Sequence, residues 1–594
     1  MRTLRTLLSL WLLVAPAVAS AQREKEEVPA PGELGAFGER VDVEVVNVDV
    51  IVTDEDGERI VDLGRDDFVL EVDKKPVAID YFAPPAILAG DLPAAAPEVP
   101  AGEDAEAIEI ASANLFVFVD QSALEWRTSN RILEEVREYV LPRTGGNERI
   151  MIAAFADNLR ILSPPTTEKE RIEEAFADLE KLRGRGSLAG AERNRLEREV
   201  RENARPRAQI MITIPGTSQI SPEQAEREAG QEIRDTEMLR QEIESFGEQE
   251  LDRQTRSLAA LRQWIGGLAA IEGRKSVLFA SAGFTSQPDL FLRRYLDIKR
   301  QKIPTDRTPS TSLETNGVAL INDFEEVVRA AQNARVAFYT MSPREGPVQQ
   351  GSAEFASDGE IARVPPPRDP SVAEAASSLH RLATATGGGS LFLDDRLSDR
   401  LQSVSDDALA AYSLGFTTGA GAGEGDHRIN VRVRRPGLTV RHRESFRRST
   451  LGERIEAALV AAATFATTVN PLALRLELGP PAPLDKKGKE SLVPVLVRIP
   501  LSFVTLLPDG ARRQGRLLAQ IGVQNESKQL RLGKLLPIAF TVPDDELARA
   551  LDSYWAYRGD VMVGRGRQRV AVVVADELSG AISTLIATIE PPAE

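Results

Sequence analysis

Three histidines are the side chains best suited to acid–base catalysis or zinc binding at neutral pH, and they are scattered along the 594-residue chain. His380 follows Leu379 in a stretch with helical apolar spacing, which predicts a packed or half-buried side chain. His427 and His442 fall in stretches that alternate like strands, where cross-strand packing or exposure is expected. The sequence contains neither H-E-x-x-H nor G-x-S-x-G, the signatures of zinc peptidases and α/β-hydrolases. The histidines therefore indicate no catalytic set.

The stretch Gly267–Ser276 has the composition of a phosphate-binding loop. Its spacing is one residue too long, and Arg274 separates Gly273 from Lys275. The stretch also follows a helical pattern and enters a strand pattern, whereas a phosphate loop must place a helix N-terminus at the phosphate. We therefore expect no nucleotide site here.

Composition excludes several classes of site. The chain has no cysteine, so disulfides, thiolate metal sites and cysteine nucleophiles are all excluded. Its formal net charge is −17, and no basic cluster offsets the acidic balance. An acidic surface repels phosphate backbones, so we expect no nucleic-acid partner.

The first 21 residues have the pattern of a secretory signal peptide. Arg2 and Arg5 precede the short apolar run Leu7–Val14, and the run leads to the small-x-small sequence Ala19–Ala21. No later segment reaches 18 uninterrupted apolar residues, so no membrane insertion is expected after signal removal. We expect an exported protein, periplasmic or extracellular.

The rest of the chain divides into segments of different periodicity. They are a flexible leader (22–40), a β module (41–82), an Ala/Pro-rich linker (83–110), alternating strands and helices (111–417), a β-hairpin around Pro436-Gly437 (418–450) and a C-terminal β-sandwich domain (451–594). Continuous apolar strands that alternate with helices predict an α/β fold with a doubly wound, mostly parallel sheet. The flanking segments predict β-sandwich modules.

A polar insertion of about 184–250 interrupts this alternation and is rich in Glu and Arg. Its apolar positions are sparse: Met238, Ile243, Phe246 and Leu251. One interpretation is a solvated helical hairpin, and the other is a projecting helical arm that contacts a partner. Charged helices usually face water, which favours the hairpin.

Residues 41–446 resemble the bacterial VWFA-related exported proteins, in which a β module precedes a von Willebrand factor A-like domain. The stretches VNVDVIVTDEDGERIVDLGRDDFVLEVDKKPVAIDYF, LFVFVDQSA, GRKSVLFASAGF, LATATGGGSLF and AYSLGFTT carry the likeness in order and spacing. The resemblance implies that residues 428–446 return to pair with the 41–82 strands. It does not extend to residues 451–594.

The resemblance also implies a divalent cation site, formed by three loops at the carboxyl end of the sheet and completed by a partner's carboxylate. Leu124 stands where a second serine belongs in the first loop, and Ala282 stands at the aspartate position of the third. Asp157 or Asp289 could be recruited in compensation, but nothing in the sequence requires it. The matching or nearest oxygen-bearing residues are Asp120, Ser122, Ser187 and Ser281. Because a hard cation needs about six oxygens, this set predicts a degenerate site.

These observations favour an exported, non-catalytic protein-interaction or adhesion-type protein with no cofactor. One alternative is a metal-dependent A domain that binds its ligand through Mg²⁺ or Mn²⁺. Another is an envelope-polymer hydrolase with β accessory modules. The sequence does not identify the protein partner.

Overall fold

The computed structural model describes residues 44–85, 114–182, 186–203, 222–271, 273–299, 311–342, 369–394, 396–418, 425–466, 468–484, 490–526 and 529–590. The expected signal peptide and leader, and nearly all of the expected linker, lie outside these residues.

The first strands are β1 (Glu44–Thr53), β2 (Phe68–Val72), β3 (Lys75–Val77) and β4 (Tyr81–Ala83). Strands and helices then alternate: β5 (Asn114–Asp120), α1 (Trp126–Val140), β6 (Arg149–Phe155), β7 (Leu159–Thr166), α2 (Lys169–Lys181), α3 (Gly186–Asn203), α4 (Pro222–Leu268), β8 (Lys275–Ala280), α5 (Leu290–Lys299), α6 (Thr311–Asn333), β9 (Val336–Ser342), α7 (Pro370–Ala385), β10 (Gly389–Phe392) and α8 (Leu397–Ala410). Further strands follow: β11 (Tyr412–Thr418), β12 (Asp426–Val433), β13 (Thr439–His442) and β14 (Ser445–Arg447). The C-terminal elements are α9 (Leu451–Phe465), β15 (Arg475–Leu478), β16 (Ala482–Pro483), β17 (Glu490–Pro500), β18 (Leu507–Asp509), β19 (Arg512–Gln524), β20 (Leu530–Leu532), β21 (Leu536–Pro543), α10 (Leu547–Leu551), β22 (Tyr554–Gly564), β23 (Gln568–Asp576) and β24 (Ile582–Ile589).

The central sheet has the strand order β10-β9-β8-β5-β6-β7. Neighbouring strands are parallel except at the β7 edge, which is antiparallel to β6. All seven residues of β5 are buried, because helices cover both faces of the sheet. One hydrophobic core lies under α1, α2 and α8, and the other under α4, α6 and α7. β5 pairs with β8, so the strands that end at residue 120 and near residue 280 are neighbours, as the grouping of loops implied by the resemblance requires.

The N-terminal strands form a sandwich with strands from after the central sheet. Its two sheets have the orders β13-β1-β11-β4 and β14-β12-β2-β3 and enclose one hydrophobic core. The hairpin predicted around Pro436-Gly437 is wrong, because β12 and β13 lie in different sheets. The A-like boundary predicted at residue 417 is also wrong, because β11 pairs antiparallel with β1. Alternation along a strand reports one buried face and not which strand lies beside it, so the sequence did not distinguish these pairings.

A histidine links the two sheets of this sandwich. The backbone N–H of Val431 in β12 donates to Nε2 of His442 in β13, at 3.2 Å. The other ring nitrogen, Nδ1, is 2.7 Å from the carbonyl oxygen of Arg443 and donates to it. A ring that accepts at one nitrogen and donates at the other must be neutral, and burial accordingly lowers the pKa of His442.

Asp407 of α8 joins the sandwich to the central sheet. Its buried carboxylate accepts hydrogen bonds from Arg59 at 2.9 Å and from Arg441 at 2.7 Å, both residues of the sandwich. Tyr339 of β9 donates to the same carboxylate at 3.0 Å. Two charge-assisted hydrogen bonds to one buried acceptor fix the position of the sandwich against the central sheet.

The polar insertion is more than a solvated hairpin. Leu196 and Val200 of α3, with Ile243 and Phe246 of α4, pack against α5 in a separate hydrophobic cluster. Of the other two apolar residues that the sequence pattern indicated here, Leu251 lies in the core of the central sheet and Met238 is exposed. The boundary predicted at about residue 250 is wrong, because α4 continues without a break to Leu268 and packs on the central sheet.

The C-terminal region contains two antiparallel sheets that pack face to face. In the smaller sheet, β15 and β16 pair with one edge of β17, and β22 pairs with the other edge. The larger sheet is built on β19 and β23. Helix α9 covers the outer face of the larger sheet through Ile455 and Leu459. The same helix places Ala461 and Phe465 in the core of the central sheet. Within the described residues, no helix combines the length and apolar character needed to cross a membrane.

We predict that acidification destabilises the N-terminal sandwich through His442. Its pKa is lowered in the fold and is about 6.5 in an unfolded chain, so the unfolded state binds more protons below about pH 6.5. The free energy of unfolding should fall between pH 7 and pH 5, with a His442 contribution of at most about 1.4 kcal/mol per pH unit. Urea titrations at several pH values measure this slope. His442→Gln should flatten it, and the exposed-site control His380→Gln should not; an unchanged slope in His442→Gln would refute the assignment.

Asp407→Ala is expected to lower the free energy of unfolding by about 2 kcal/mol, because it leaves two guanidinium groups without their shared carboxylate. The neighbouring Asp406 is a matched control, since its side chain is 42% exposed and lies 3.6 Å from Arg59. Asp406→Ala should cost about 0.5 kcal/mol or less. Equal losses in urea denaturation of the two variants would contradict the role given to Asp407.

Candidate functional site

The candidate site lies at the carboxyl end of β5, in the middle of the central sheet. Asp120 ends the strand between β6 and β8, and its side chain is fully buried. The following loop bends back onto β6, where the N–H of Ser122 donates to the carbonyl oxygen of Phe155 at 3.2 Å. The carboxyl ends of parallel strands form the usual ligand crevice of an open α/β sheet.

Both oxygens of Asp120 are occupied by hydrogen-bond donors from the protein. Oδ1 accepts from the backbone N–H and the hydroxyl of Ser122, at 3.1 and 2.6 Å. Oδ2 accepts from the hydroxyls of Ser257 at 2.8 Å and Ser281 at 3.3 Å. A carboxylate has about four lone-pair sites, so these contacts use its accepting capacity. The structure thus brings three of the four predicted residues together and adds Ser257.

A positive charge from α4 completes this cluster. Nη1 of Arg253 lies 3.2 Å from the hydroxyl of Ser122 and donates to it, and Nη2 donates to Glu250 at 2.7 Å. The side chains of Arg253 and Glu250 are 14% and 15% exposed. Burial alone would lower the pKa of Arg253, but the carboxylates of Glu250 and Asp120 outweigh burial and raise it. The guanidinium therefore stays charged beside the buried Asp120.

The other positions of the expected cation site supply no oxygen to this cluster. The hydroxyl of Ser187 is exposed and accepts from the backbone N–H of Trp126 at 2.9 Å. Leu124 is buried among the apolar residues under α1. With the oxygens of Asp120 occupied and a guanidinium at Ser122, the residues do not fit a hard divalent cation, which needs about six free oxygens.

Asp157 and Asp289, the two carboxylates that could compensate for the missing ligands, do not complete a cation site. Asp157 lies exposed in the turn between β6 and β7. Asp289 is buried and forms an ion pair with Arg293, and burial raises the pKa of Asp289. Throughout the described part of the chain, no group of three or more His, Asp or Glu residues is arranged to hold a metal ion.

The loop after β8 is held rigidly beside the cluster. Gly283 has φ +87°, and a Cβ there would lie 2.2 Å from the carbonyl oxygen of Ala375, so only glycine fits. Glu374 of α7 accepts hydrogen bonds from Thr285 and Ser286 at 2.7–3.0 Å. These contacts hold the loop against α7.

Two large apolar side chains are exposed next to the first loop. Trp126 begins α1 and is 59% exposed, and Leu188 near the start of α3 is 69% exposed. The hydrogen bond between Ser187 and Trp126 joins these two helix starts. We call the loops 121–125 and 281–289, together with Trp126 and Leu188, the upper face.

The histidines lie apart from the upper face. His380 is exposed and 3.2 Å from Ser390, so the prediction of a packed or half-buried side chain is wrong. His427 contacts Asp73 at 2.8 Å and stacks on Phe446 in the N-terminal sandwich. Lys275, from the rejected phosphate loop, is buried and donates to a backbone carbonyl at 2.9 Å.

No family model and no curated protein sequence matches the chain. Among solved structures, it is similar to a von Willebrand factor type A protein from Catenulispora acidiphila, with 9% identity over 81% of this chain and 65% of that one and a TM-score of 0.22. It is also similar to an aerotolerance-related membrane protein from Bacteroides fragilis, with 8% identity over 50% of this chain and 98% of that one and a TM-score of 0.19. Proximal thread matrix protein 1 from the mussel byssus gives 12% identity over 50% and 47% of the two chains and a TM-score of 0.20. These values describe weak similarity; the mixed α/β fold with its mostly parallel sheet follows from the strand pairing of the chain itself.

We predict that Arg253 prevents cation binding at Asp120. Wild type should give no heat of binding with MnCl₂ at millimolar concentration, whereas Arg253→Ala frees the hydroxyl oxygen of Ser122 and leaves Asp120 and Glu250 without their neighbouring positive charge. Mn²⁺ should then stabilise the variant, by about 1.4 kcal/mol at ten times its Kd. Thermal unfolding with and without Mn²⁺ measures this gain. The control Arg256→Ala removes a more exposed arginine of the same helix and should not respond; Mn²⁺ binding by wild type would contradict the prediction.

Proposed function

We propose that the chain is an exported, non-catalytic protein-interaction protein that binds a protein partner through the upper face without a divalent cation. The observation that carries the proposal is the guanidinium of Arg253 beside the buried Asp120, 3.2 Å from the hydroxyl of Ser122. A fixed protein cation balances the carboxylate there, so the loops keep their shape without metal.

The exposed apolar residues of the upper face support a protein partner. Tryptophan is enriched among the residues that contribute most to protein–protein binding, because it buries a large rigid surface at little cost in side-chain entropy. Trp126 and Leu188 present such a surface beside the rigid loops. Preformed loops also reduce the entropy lost on binding.

Beyond Leu188 near its start, the helical insertion is the weaker candidate for the contact. Its apolar residues Leu239, Ile243 and Phe246 are buried against α3 and α5, so that face of α4 is already used within the chain. Ion pairs such as Arg195 with Glu242 cover part of the rest. Charged, solvated helix surface contributes little to affinity.

The test is affinity capture from the envelope and secreted fractions of the source cells, with the immobilised mature chain as bait. We expect a partner that is retained equally in EDTA and in MgCl₂. The double substitution Trp126→Ala, Leu188→Ala should weaken its binding by about 2 kcal/mol or more, roughly thirtyfold in Kd, because it removes the exposed anchors. Surface plasmon resonance with the recovered partner measures the change.

Phe503→Ala is the matched control, since Phe503 is 55% exposed but lies in the C-terminal region. It should leave binding unchanged. Loss of the partner in EDTA would favour the metal-dependent alternative. Full retention by the double variant would exclude the upper face as the contact.

A further inference from the structure

The strand β22 leaves one long edge of the C-terminal region open. Its 11 residues pair antiparallel with β17 in one uninterrupted register, from Glu490↔Gly564 to Pro500↔Tyr554. A strand of that length extends about 36 Å. Among the residues that the structure describes, no strand pairs with its opposite edge.

Several of the usual protections of an edge strand are missing from β22. Proteins commonly block such edges with proline, a β-bulge, a very short strand or an inward-pointing charge. β22 contains no proline, and its register with β17 has no bulge. Its charged residues, Arg558 and Asp560, are exposed. Within the described part of the C-terminal region, no backbone hydrogen bond engages the N–H and C=O groups of this edge, so they are available to another strand.

The sequence of β22 is complementary to itself. Arg558 and Asp560 flank Gly559, and both side chains lie on the outer face of the sheet, since their neighbours Tyr557 and Val561 face the core. In an antiparallel pairing centred on Gly559, Arg558 lies opposite Asp560 of the second copy, and Asp560 lies opposite its Arg558. Opposite charges directly across a strand pair stabilise the pairing.

The other pairs in this register are also compatible. Ala556 lies opposite Met562, which is 44% exposed in the single chain. Tyr557 lies opposite Val561, an aromatic–β-branched pair of the kind favoured across strands. Gly559 meets its own counterpart at the two-fold axis, so no side chains collide where the two strands cross the axis. A contact in which one patch meets the same patch is a closed, isologous interface.

We propose that two copies of the chain associate through their β22 strands, which form an antiparallel pair centred on Gly559 and continue one sheet through both copies. The occupant of the edge is a second copy because Arg558 and Asp560 carry opposite charges on either side of Gly559, so the strand is complementary in charge to itself. The proposal is independent of the function assigned to the upper face.

Analytical ultracentrifugation of the mature full-length chain tests the pairing through charge reversal. Wild type should sediment as a dimer. Arg558→Asp and Asp560→Arg each place two like-charge pairs across the interface and should weaken dimerisation by at least about tenfold. An equimolar mixture of the two variants should recover a heterodimer, and the double variant Arg558→Asp, Asp560→Arg should recover the homodimer, because both restore opposite charges.

Arg549→Asp is the matched control, since it makes the same charge change at an exposed position on α10. It should leave the dimer intact. Thermal unfolding of each variant checks that the fold is kept, which is expected because the substituted side chains are exposed. A monomeric wild type, a dimer that survives the single reversals, or a failure of both the mixture and the double variant to recover it would each overturn the proposal.

Discussion

The negative charge of Asp120, buried at the centre of the sheet edge, is the constraint on which the upper part of the molecule depends. A carboxylate removed from water is costly unless donors and a positive charge surround it. Here the loop after β5, the loop after β8 and the helix α4 each contribute a donor to it or to its serine neighbour. Three separate segments of the chain therefore converge on one side chain, and their positions relative to one another follow from it.

This convergence explains why α4 is long. The helix supplies Arg253 and Ser257 to the polar cluster, and one turn later its Leu261 and Trp264 enter the core of the sheet. Its N-terminal half packs with α3 and α5 instead. One continuous helix thus connects the polar cluster, the sheet and the insertion, and the insertion is anchored at a point where its position affects the upper face.

The sequence predicted the strands that are continuous apolar segments and are buried on both faces. The apolar stretches before Asp120 and before Ser281 predicted two buried parallel strands, and the family resemblance implied that the loops after them lie together; the pairing of β5 with β8 and the hydrogen bond from Ser281 to Asp120 agree with both. Arg253 and Ser257 were missed because the region around them reads as charged and solvated. The apolar stripe of Leu261, Ile265 and Leu268, extended back one turn at a time, reaches both positions and was the available signal. Strand partners in the N-terminal sandwich were not predictable in this way, because alternation along β12 and β13 is the same whether they pair with each other or with other strands.

Helix α9 couples the central sheet to the C-terminal region, although the sequence pattern indicates two separate modules. The helix is shared by two hydrophobic cores, with Phe465 packed against Gly267 of α4 and Leu459 against the C-terminal sheet. A Cβ at residue 267 would lie 2.4 Å from the Phe465 ring, so the two segments touch without a gap. Because the contact leaves no gap, we expect the junction to resist hinge motion. Unfolding of either core would remove contacts of α9 that stabilise the other core. We therefore expect the central sheet and the C-terminal region to unfold with partial cooperativity.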